Sequence, residues 1–333
     1  MSNSQPKAIL VTGGRGFIGR RLVQQLVEAQ ASTVISLDVL PAGRVQGDTR
    51  RLDIQVDICD RERLNEIFSQ FDVSTVFDLA SITTVKLPSS EYLPNLEMTR
   101  SMVECVLKFN VQKYIFYSTQ MVFRKERALP TSDQDYYPID AYGESKIQSE
   151  QWIRSALPDN RALILRPTYI WGEEHRRFRD GFLYRLAKGQ LMLPRDSDLL
   201  RYYGYVATIC KQTSILAAQP FSQLARQTFY LSDEPISMQD FCAYFLMALD
   251  RGRFWLVPAS FLRILGKIGD AAESAGLRFP INGLQADEMT RSYPVPIEPT
   301  LSITGTSTEY RSAAATVVAW ALSDPEFSRR VQY

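Results

Sequence analysis

Through the first half of the chain, short apolar runs alternate with stretches whose apolar residues recur at helical spacing. Residues 8–12 (AILVT), 33–38 (TVISLD), 51–58 (RLDIQVDI), 74–81 (STVFDLAS), 113–119 (KYIFYST) and 161–167 (RALILRP) read as buried strands. Between them, Leu22, Val23, Leu26 and Val27 mark one helix, and Leu64, Ile67, Phe68 and Phe71 mark a second over 60–71. Residues 95–109 and 141–156 read as two more, with Pro158 just past the end of the last. Strands alternating with helices in this way predict an α/β fold with a doubly wound parallel sheet.

Beyond Pro167 the alternation weakens. Residues 182–189 (FLYRLAKG) read as a helix closed by a glycine, and 201–218 as a short extended piece running into a helix. Residues 227–233 read as a strand, and 237–249 as an amphipathic helix with Ser237 as its N-cap. From Arg253 onward aromatics, Pro and Gly scatter among what read as short helices. The pattern predicts a first domain over 1–170, with 205–235 returning to it. A smaller, irregular α/β C-terminal domain for substrate then takes 171–204 and 236–333.

The first apolar run ends in spaced glycines, AILVTGGRGFIG, with Phe17 and Ile18 opening the helix before Gly19. Gly14, Gly16 and Gly19 fit a G-x-G-x-x-G spacing, and Gly13, Gly16 and Gly19 a three-by-three spacing. A strand, a tight glycine turn and a helix N-terminus let the backbone approach a pyrophosphate, whose charge meets free N–H groups. The second strand ends in Asp38, nineteen residues after Gly19. A carboxylate there can accept bonds from the adenosine ribose hydroxyls and would repel a 2′-phosphate, which points to NAD. Arg44, Arg50 and Arg51 follow in a stretch that reads as a loop able to reach such a phosphate.

Composition narrows the partners. The 38 Lys and Arg balance 37 Asp and Glu at a net charge of +1, so no global field recruits nucleic acid or a membrane. No apolar stretch approaches spanning length, and MSNSQPK lacks the apolar core of a signal peptide, so a cytoplasmic protein is expected. Cys59, Cys105, Cys210 and Cys242 form no C-x-x-C pair and read as small buried hydrophobes in a reduced compartment. His175 is the sole histidine, which leaves no His-rich metal site, and no G-x-S-x-G elbow accompanies it. Within EEHRRFR it reads as part of a solvated charged loop or helix start.

Tyr142 and Lys146 lie four residues apart, on one face of the helix that follows the fifth strand. A Lys ammonium beside a phenol favours the phenolate and would lower its pKa, so this Tyr can exchange a proton with a substrate hydroxyl. Ser118 and Thr119 end the fifth strand, where a hydroxyl can hydrogen-bond the reacting oxygen.

These motifs resemble the extended short-chain dehydrogenases/reductases, the NAD-dependent epimerase/dehydratase enzymes with a Rossmann-type sheet. TGGRGFIG, Asp38, VDICD, DLAS, YSTQMVF, Tyr142 with Lys146, and LRPTYIWG follow in the family's order. The resemblance implies that Gly13, Gly16 and Gly19 cradle the pyrophosphate and that Asp38 holds the ribose. It further implies that Asp57 and Ile58 flank the adenine and that Leu79, Ala80 and Ser81 line the cofactor. Thr119, Tyr142 and Lys146 would be the catalytic set, Thr119 being chosen over Ser118 by its position three residues before Val122. RYYGYV and the 269–282 stretch resemble a branch tied to nucleotide-sugar and surface-polysaccharide synthesis, in which Arg201 would contact a nucleotide diphosphate. Dimerisation through 95–109 and 141–156 is likewise implied. The chain departs from the family at Asp78, where a His is common, at Tyr169 for an Asn, and at Ala207 and Thr208 for an Asp pair. Gln120 and Met121 replace the acidic pair of sugar 4,6-dehydratases, which speaks against dehydration.

The resulting expectation is an NAD-dependent epimerase or oxidoreductase acting on a hydroxyl or keto group of a nucleotide sugar. A simple ketosugar reductase or hydroxysteroid-type dehydrogenase, and a catalytically silent cofactor-sensing protein, are the alternatives. The intact Thr119, Tyr142 and Lys146 set counts against the last.

Overall fold

The structure, a computed structural model, describes residues 7–29, 32–41, 50–84, 87–195, 199–224, 226–277 and 279–332. The first half runs β1 (Lys7–Thr12), α1 (Phe17–Glu28), β2 (Thr33–Asp38), β3 (Arg51–Gln55), α2 (Arg61–Gln70), β4 (Asp72–Asp78), α3 (Leu93–Lys108), β5 (Lys113–Tyr117), α4 (Ala141–Ala156) and β6 (Ala162–Pro167). Next come β7 (Tyr169–Trp171), α5 (Tyr184–Ala187), β8 (Leu191–Pro194), β9 (Leu200–Arg201), β10 (Tyr203–Tyr205), α6 (Val206–Ala218), β11 (Thr228–Leu231) and β12 (Ile236–Ser237). The chain closes with α7 (Met238–Leu249), β13 (Phe254–Val257), α8 (Ala259–Ser274), α9 (Gly283–Thr290), α10 (Glu298–Thr304), α11 (Tyr310–Leu322) and α12 (Pro325–Gln332).

Seven parallel strands form the central sheet in the order β11-β6-β5-β4-β1-β2-β3. The strands are apolar because both faces are covered. One face buries Leu22, Val23 and Val27 of α1 with Ile209, Cys210 and Leu216 of α6. The other buries Leu64, Ile67 and Phe68 of α2, Met102, Val103 and Val106 of α3 and Ile153 of α4. The order reverses between β1 and β4, so the topological switch point lies where Thr12 sits opposite Asp78.

A second body packs around Trp171, with Phe178, Phe241 and Phe245 and the small residues of α11. Here the structure differs from the sequence reading in two places. The helix expected at 182–189 begins earlier, in a π-helical turn over Phe178–Leu183, before Gly189 ends it at φ +64°. The region after Arg253 holds long helices, α8 of 16 residues and α11 of 13. Glycines that read as breakers are contact points: a Cβ on Gly269 would lie 1.9 Å from the Ile281 carbonyl oxygen. Cys105, Cys210 and Cys242 are buried as expected, whereas Cys59 is partly exposed.

One ion pair crosses the sheet body. Glu150 of α4 and Arg166 of β6 are fully buried, with Nε to Oε1 at 2.9 Å and Nη2 to Oε2 at 2.6 Å. Ser118 donates to Glu150 Oε1 at 2.5 Å and Tyr136 to Oε2 at 3.0 Å, while Arg166 donates to Tyr230 and to the Asp133 carbonyl. Removing one partner of such a pair strands a buried charge. Arg166→Met is therefore expected to cost about 3–5 kcal/mol, and Glu150→Met with Arg166→Met to recover most of that loss. Denaturant midpoints of the two variants measure the difference.

Candidate active site

The glycine turn is shaped by contact. Gly13 takes φ +61°, and a Cβ there would meet the Ala80 backbone at 3.1 Å. A Cβ on Gly19 would lie 2.1 Å from the Gly13 carbonyl oxygen, so α1 can approach β1 only with hydrogen there. Gly16 is the N-cap of α1 and supplies no side-chain cap, which leaves the N–H groups ahead of Phe17 and Ile18 facing the turn. Asp38 closes β2, with Oδ2 accepting from Arg15 N at 2.9 Å and Oδ1 from Leu40 N at 3.0 Å. These bonds fix a carboxylate beside the turn at the carboxyl ends of β1 and β2. Asp57 follows β3 and accepts from Cys59 N, beside the buried Ile58.

Arg44 lies outside the described residues. Arg51 is no loop residue: it opens β3, pairs with Asp53 at 3.0 Å, and sits opposite Val34 at the other end of β2 from Asp38.

At the switch point Thr12 donates to Asp78 Oδ1 at 2.6 Å and accepts from Leu79 N and Ala80 N at 3.0 Å each. Tyr114 donates to Asp78 Oδ2 at 2.5 Å. Asp78, where the family often has His, thus anchors the Leu79–Ala80 turn against Gly13. Ser81 donates to Asn95 Oδ1 at 3.2 Å, and Asn95 Nδ2 reaches Ser145 at 3.0 Å.

Thr119 caps a short turn, its hydroxyl accepting from Met121 N at 3.2 Å. Ser118, by contrast, is committed to Glu150. Asp140 caps α4 through Gly143 N at 2.7 Å, which starts the helix at Ala141 and puts Tyr142 in its first turn. The Tyr142 ring lies 5.9 Å from that of Tyr92. One helical turn on, Lys146 is buried over Phe116 and donates to the Tyr117 carbonyl at 2.8 Å. Burial pushes the Lys146 ammonium down to about 8, against the pull of Asp78 and Glu150. The Tyr142 phenol runs opposite to the sequence expectation: burial, then the Asp140 carboxylate, raise it well above its ordinary value, while hydrogen bonding with Thr119 and Ser81 pulls it down. Lys146 is turned towards Tyr117 beneath the strand end, so its charge does not offset that burial.

Arg201 closes the site from the second body. Its Nη2 donates to the Met289 carbonyl at 2.7 Å and its Nη1 to the Leu200 carbonyl at 3.1 Å, while Nε is buried without a partner. Burial lowers its pKa, as it does for a cation held by carbonyls alone. Arg124 escaped the sequence reading. It is buried, stacks 3.9 Å from the Tyr293 ring centroid, and pairs with Glu288 across from Arg201. Its place directly after Val122 and Phe123 was the available signal. His175 does start a helix, but it also packs: its Nδ1 accepts from Phe178 N, and its ring meets Phe17 at 4.6 Å.

A glycine turn without room for side chains, a strand-end carboxylate and a Tyr–Lys helix beside a hydroxyl define a dinucleotide-binding α/β protein. The chain belongs to the NAD dependent epimerase/dehydratase family, whose model matches residues 9–230. Its cofactor is NAD, and Gly13, Gly16, Gly19 and Asp38 fit that group on their geometry. The chain is 25% identical over 206 residues to the N-acetyl-α-D-glucosaminyl-diphospho-ditrans,octacis-undecaprenol 4-epimerase of Escherichia coli, covering 60% of each chain. It is 32% identical over 157 residues to a UDP-glucose 4-epimerase of Halalkalibacterium halodurans, covering 45% of this chain and 47% of that one. The matches thus span about half to three-fifths of these relatives. The solved UDP-glucose 4-epimerase of Thermotoga maritima shares the fold at a TM-score of 0.70 and 19% identity, over 98% of this chain and 100% of that one.

Titration with both cofactors is expected to give tighter binding of NAD than of NADP. Asp38→Ala should weaken NAD by about tenfold or more, the loss of hydrogen bonds to a charged group, and narrow the preference. Tighter binding of NADP to the unaltered protein would contradict the role of Asp38.

Proposed function

We propose that the protein is an epimerase of a diphosphate-linked sugar, in the first place a nucleotide sugar, working by transient oxidation of a sugar hydroxyl. The observation that carries this reading is the convergence of Thr119, Tyr142 and Lys146 beside the Gly13–Gly19 turn, with the competing Ser118 hydroxyl already spent on Glu150. NAD, held by Gly13, Gly16, Gly19 and Asp38, would supply the hydride acceptor. Tyr142 moves the proton at the sugar oxygen, taking it during oxidation and giving it back during reduction. Taking the proton requires the phenolate, which the hydrogen bonds with Thr119 and Ser81 favour against burial, and the neutral phenol so formed is the form that gives the proton back. Thr119, whose oxygen accepts from Met121 N, is hydrogen-bonded with the Tyr142 phenol, so hydroxyl and phenol meet where the reacting oxygen would sit. Lys146, fixed on the Tyr117 carbonyl one helical turn beyond Tyr142, orients the ribose.

Arg201 supports the diphosphate. A guanidinium held only by carbonyls, with a buried N–H to spare, is suited to grip two phosphate oxygens in parallel. A diphosphate joins the sugar to uridine in some relatives' substrates and to a polyprenol in the Escherichia coli relative's. The similarity over 206 residues to that relative supports the polyprenol carrier as a second reading.

Tyr142→Phe is expected to keep NAD affinity and to lose turnover by about a hundredfold or more. Thr119→Ala should lose activity as well, while Ser118→Ala should retain most of it; the reverse order would place the chemistry on the wrong hydroxyl. Calorimetry on the NAD-loaded protein should detect UDP or dTDP binding that Arg201→Ala largely removes while NAD binding stays unchanged. No affinity of the unaltered protein for any nucleoside diphosphate would sink the nucleotide-sugar reading.

A further inference from the structure

Helix α8 has two apolar faces, and packing within the chain accounts for one. The inner face is made of Leu262, Gly266 and Gly269, buried against α9 so closely that a Cβ on Gly266 would lie 2.7 Å from that of Ala286. The outer face carries Phe261, Ile264 and Ile268, spaced at one helix side and 43%, 57% and 49% exposed. Trp255, in β13 at the foot of α8, is 48% exposed. Glycines inside and large apolar side chains outside invert the usual order of a globular helix.

Charge sorts along the same line. The carboxylates of α8 are engaged by the start of α9: Asp270 accepts from Gly283 N at 2.9 Å and Glu273 from Asn282 Nδ2 at 3.0 Å. Of the cations, Arg263 is likewise held by α9, donating to Thr290 Oγ1 at 3.1 Å and to the Thr290 carbonyl, while Lys267 is exposed and Arg253 stacks 4.3 Å from the Trp255 ring centroid. A two-fold contact between copies through this face would set these cations against themselves. An anionic surface would meet them.

We propose that the outer face of α8, with Trp255 at its foot, docks the protein on an anionic phospholipid bilayer. The helix lies in the plane of the interface, with Phe261, Ile264 and Ile268 among the acyl chains and Lys267 and Arg253 at the phosphates. Trp255 brings an exposed ring to this boundary, its indole N–H already donating to the Gly189 carbonyl at 2.8 Å. None of the described helices is long and apolar enough to cross a membrane, so contact is from one side. The neighbouring α9 carries Glu288 and Met289, the partners of Arg124 and Arg201, so the docked helix backs the wall of the site. The docking stands apart from the sugar carrier. A balanced net charge hides it because the segregation is local to one helix.

The full chain, mixed with vesicles of phosphatidylcholine alone or with phosphatidylglycerol added, is expected to sediment with the second and to release as salt rises. Ile264→Glu with Ile268→Glu should lower the bound fraction by about tenfold or more while leaving NAD affinity unchanged. Arg253→Glu with Lys267→Glu, which leaves the apolar face whole, should do the same on the anionic vesicles. No binding to phosphatidylglycerol vesicles, or equal binding by both variants, would overturn the proposal. So would a lipid-free dimer, seen by sedimentation velocity, that the Glu substitutions dissolve.

Discussion

The Glu150–Arg166 pair holds the elements that the site depends on. Through it α4, β6, the end of β5 and β11 are joined by one carboxylate and one guanidinium, both at 0% exposure. Glu150 is one helical turn beyond Lys146 and two beyond Tyr142, so fixing Glu150 sets the height of both over the end of β5. The same carboxylate takes the Ser118 hydroxyl and leaves Thr119 facing the phenol. A buried pair is poor at adding stability and good at selecting one arrangement when all its bonds are made, and here each oxygen has two partners.

The electrostatics of the site follow from burial more than from pairing. Tyr142 is pushed up and Lys146 down because both sit in protein, and a carboxylate raises each: Asp140 adds to the effect of burial on the phenol, while Asp78 opposes it on the ammonium. Asp78 is itself buried and pushed up, held by Thr12 and Tyr114. Across the cleft the charges are arranged differently. Arg124 is bonded to Glu288 and covered by a tyrosine face, while the hydrogen bonds of Arg201 go to carbonyls and its Nε has no partner, which leaves Arg201 the freer of the two for an anionic ligand.

What could be read in the sequence was local. The glycine turn, Asp38, the limits of α4 and its Tyr–Lys pair rest on spacing within one element, and the structure places them as spaced. The sheet was legible because both-face burial makes its inner strands, such as β5 and β6, nearly continuous apolar runs. What was hidden depends on residues far apart in the chain. Ser118 and Thr119 look alike until Glu150 is seen to claim one of them. Arg124 gains meaning only from Glu288 and Tyr293, more than 160 residues on. The expectation that Lys146 lowers the Tyr142 pKa considered the pair alone and left out the burial of both. The region after Arg253 read as short helices because the contacts that its glycines serve, such as Gly266 with Ala286 and Gly269 with Ile281, lie further along the chain.

The central claim is that hydride leaves and returns on the same sugar while Tyr142 moves the proton. It is tested most directly by incubating the protein, loaded with NAD, with UDP-linked and polyprenyl-diphosphate-linked hexoses. The configuration of the sugar and the nicotinamide absorbance are followed together. Inversion at one carbon with no net build-up of reduced cofactor is the predicted result. Reduced or oxidised cofactor accumulating in step with a keto or hydroxy product would contradict it and make the protein a net oxidoreductase.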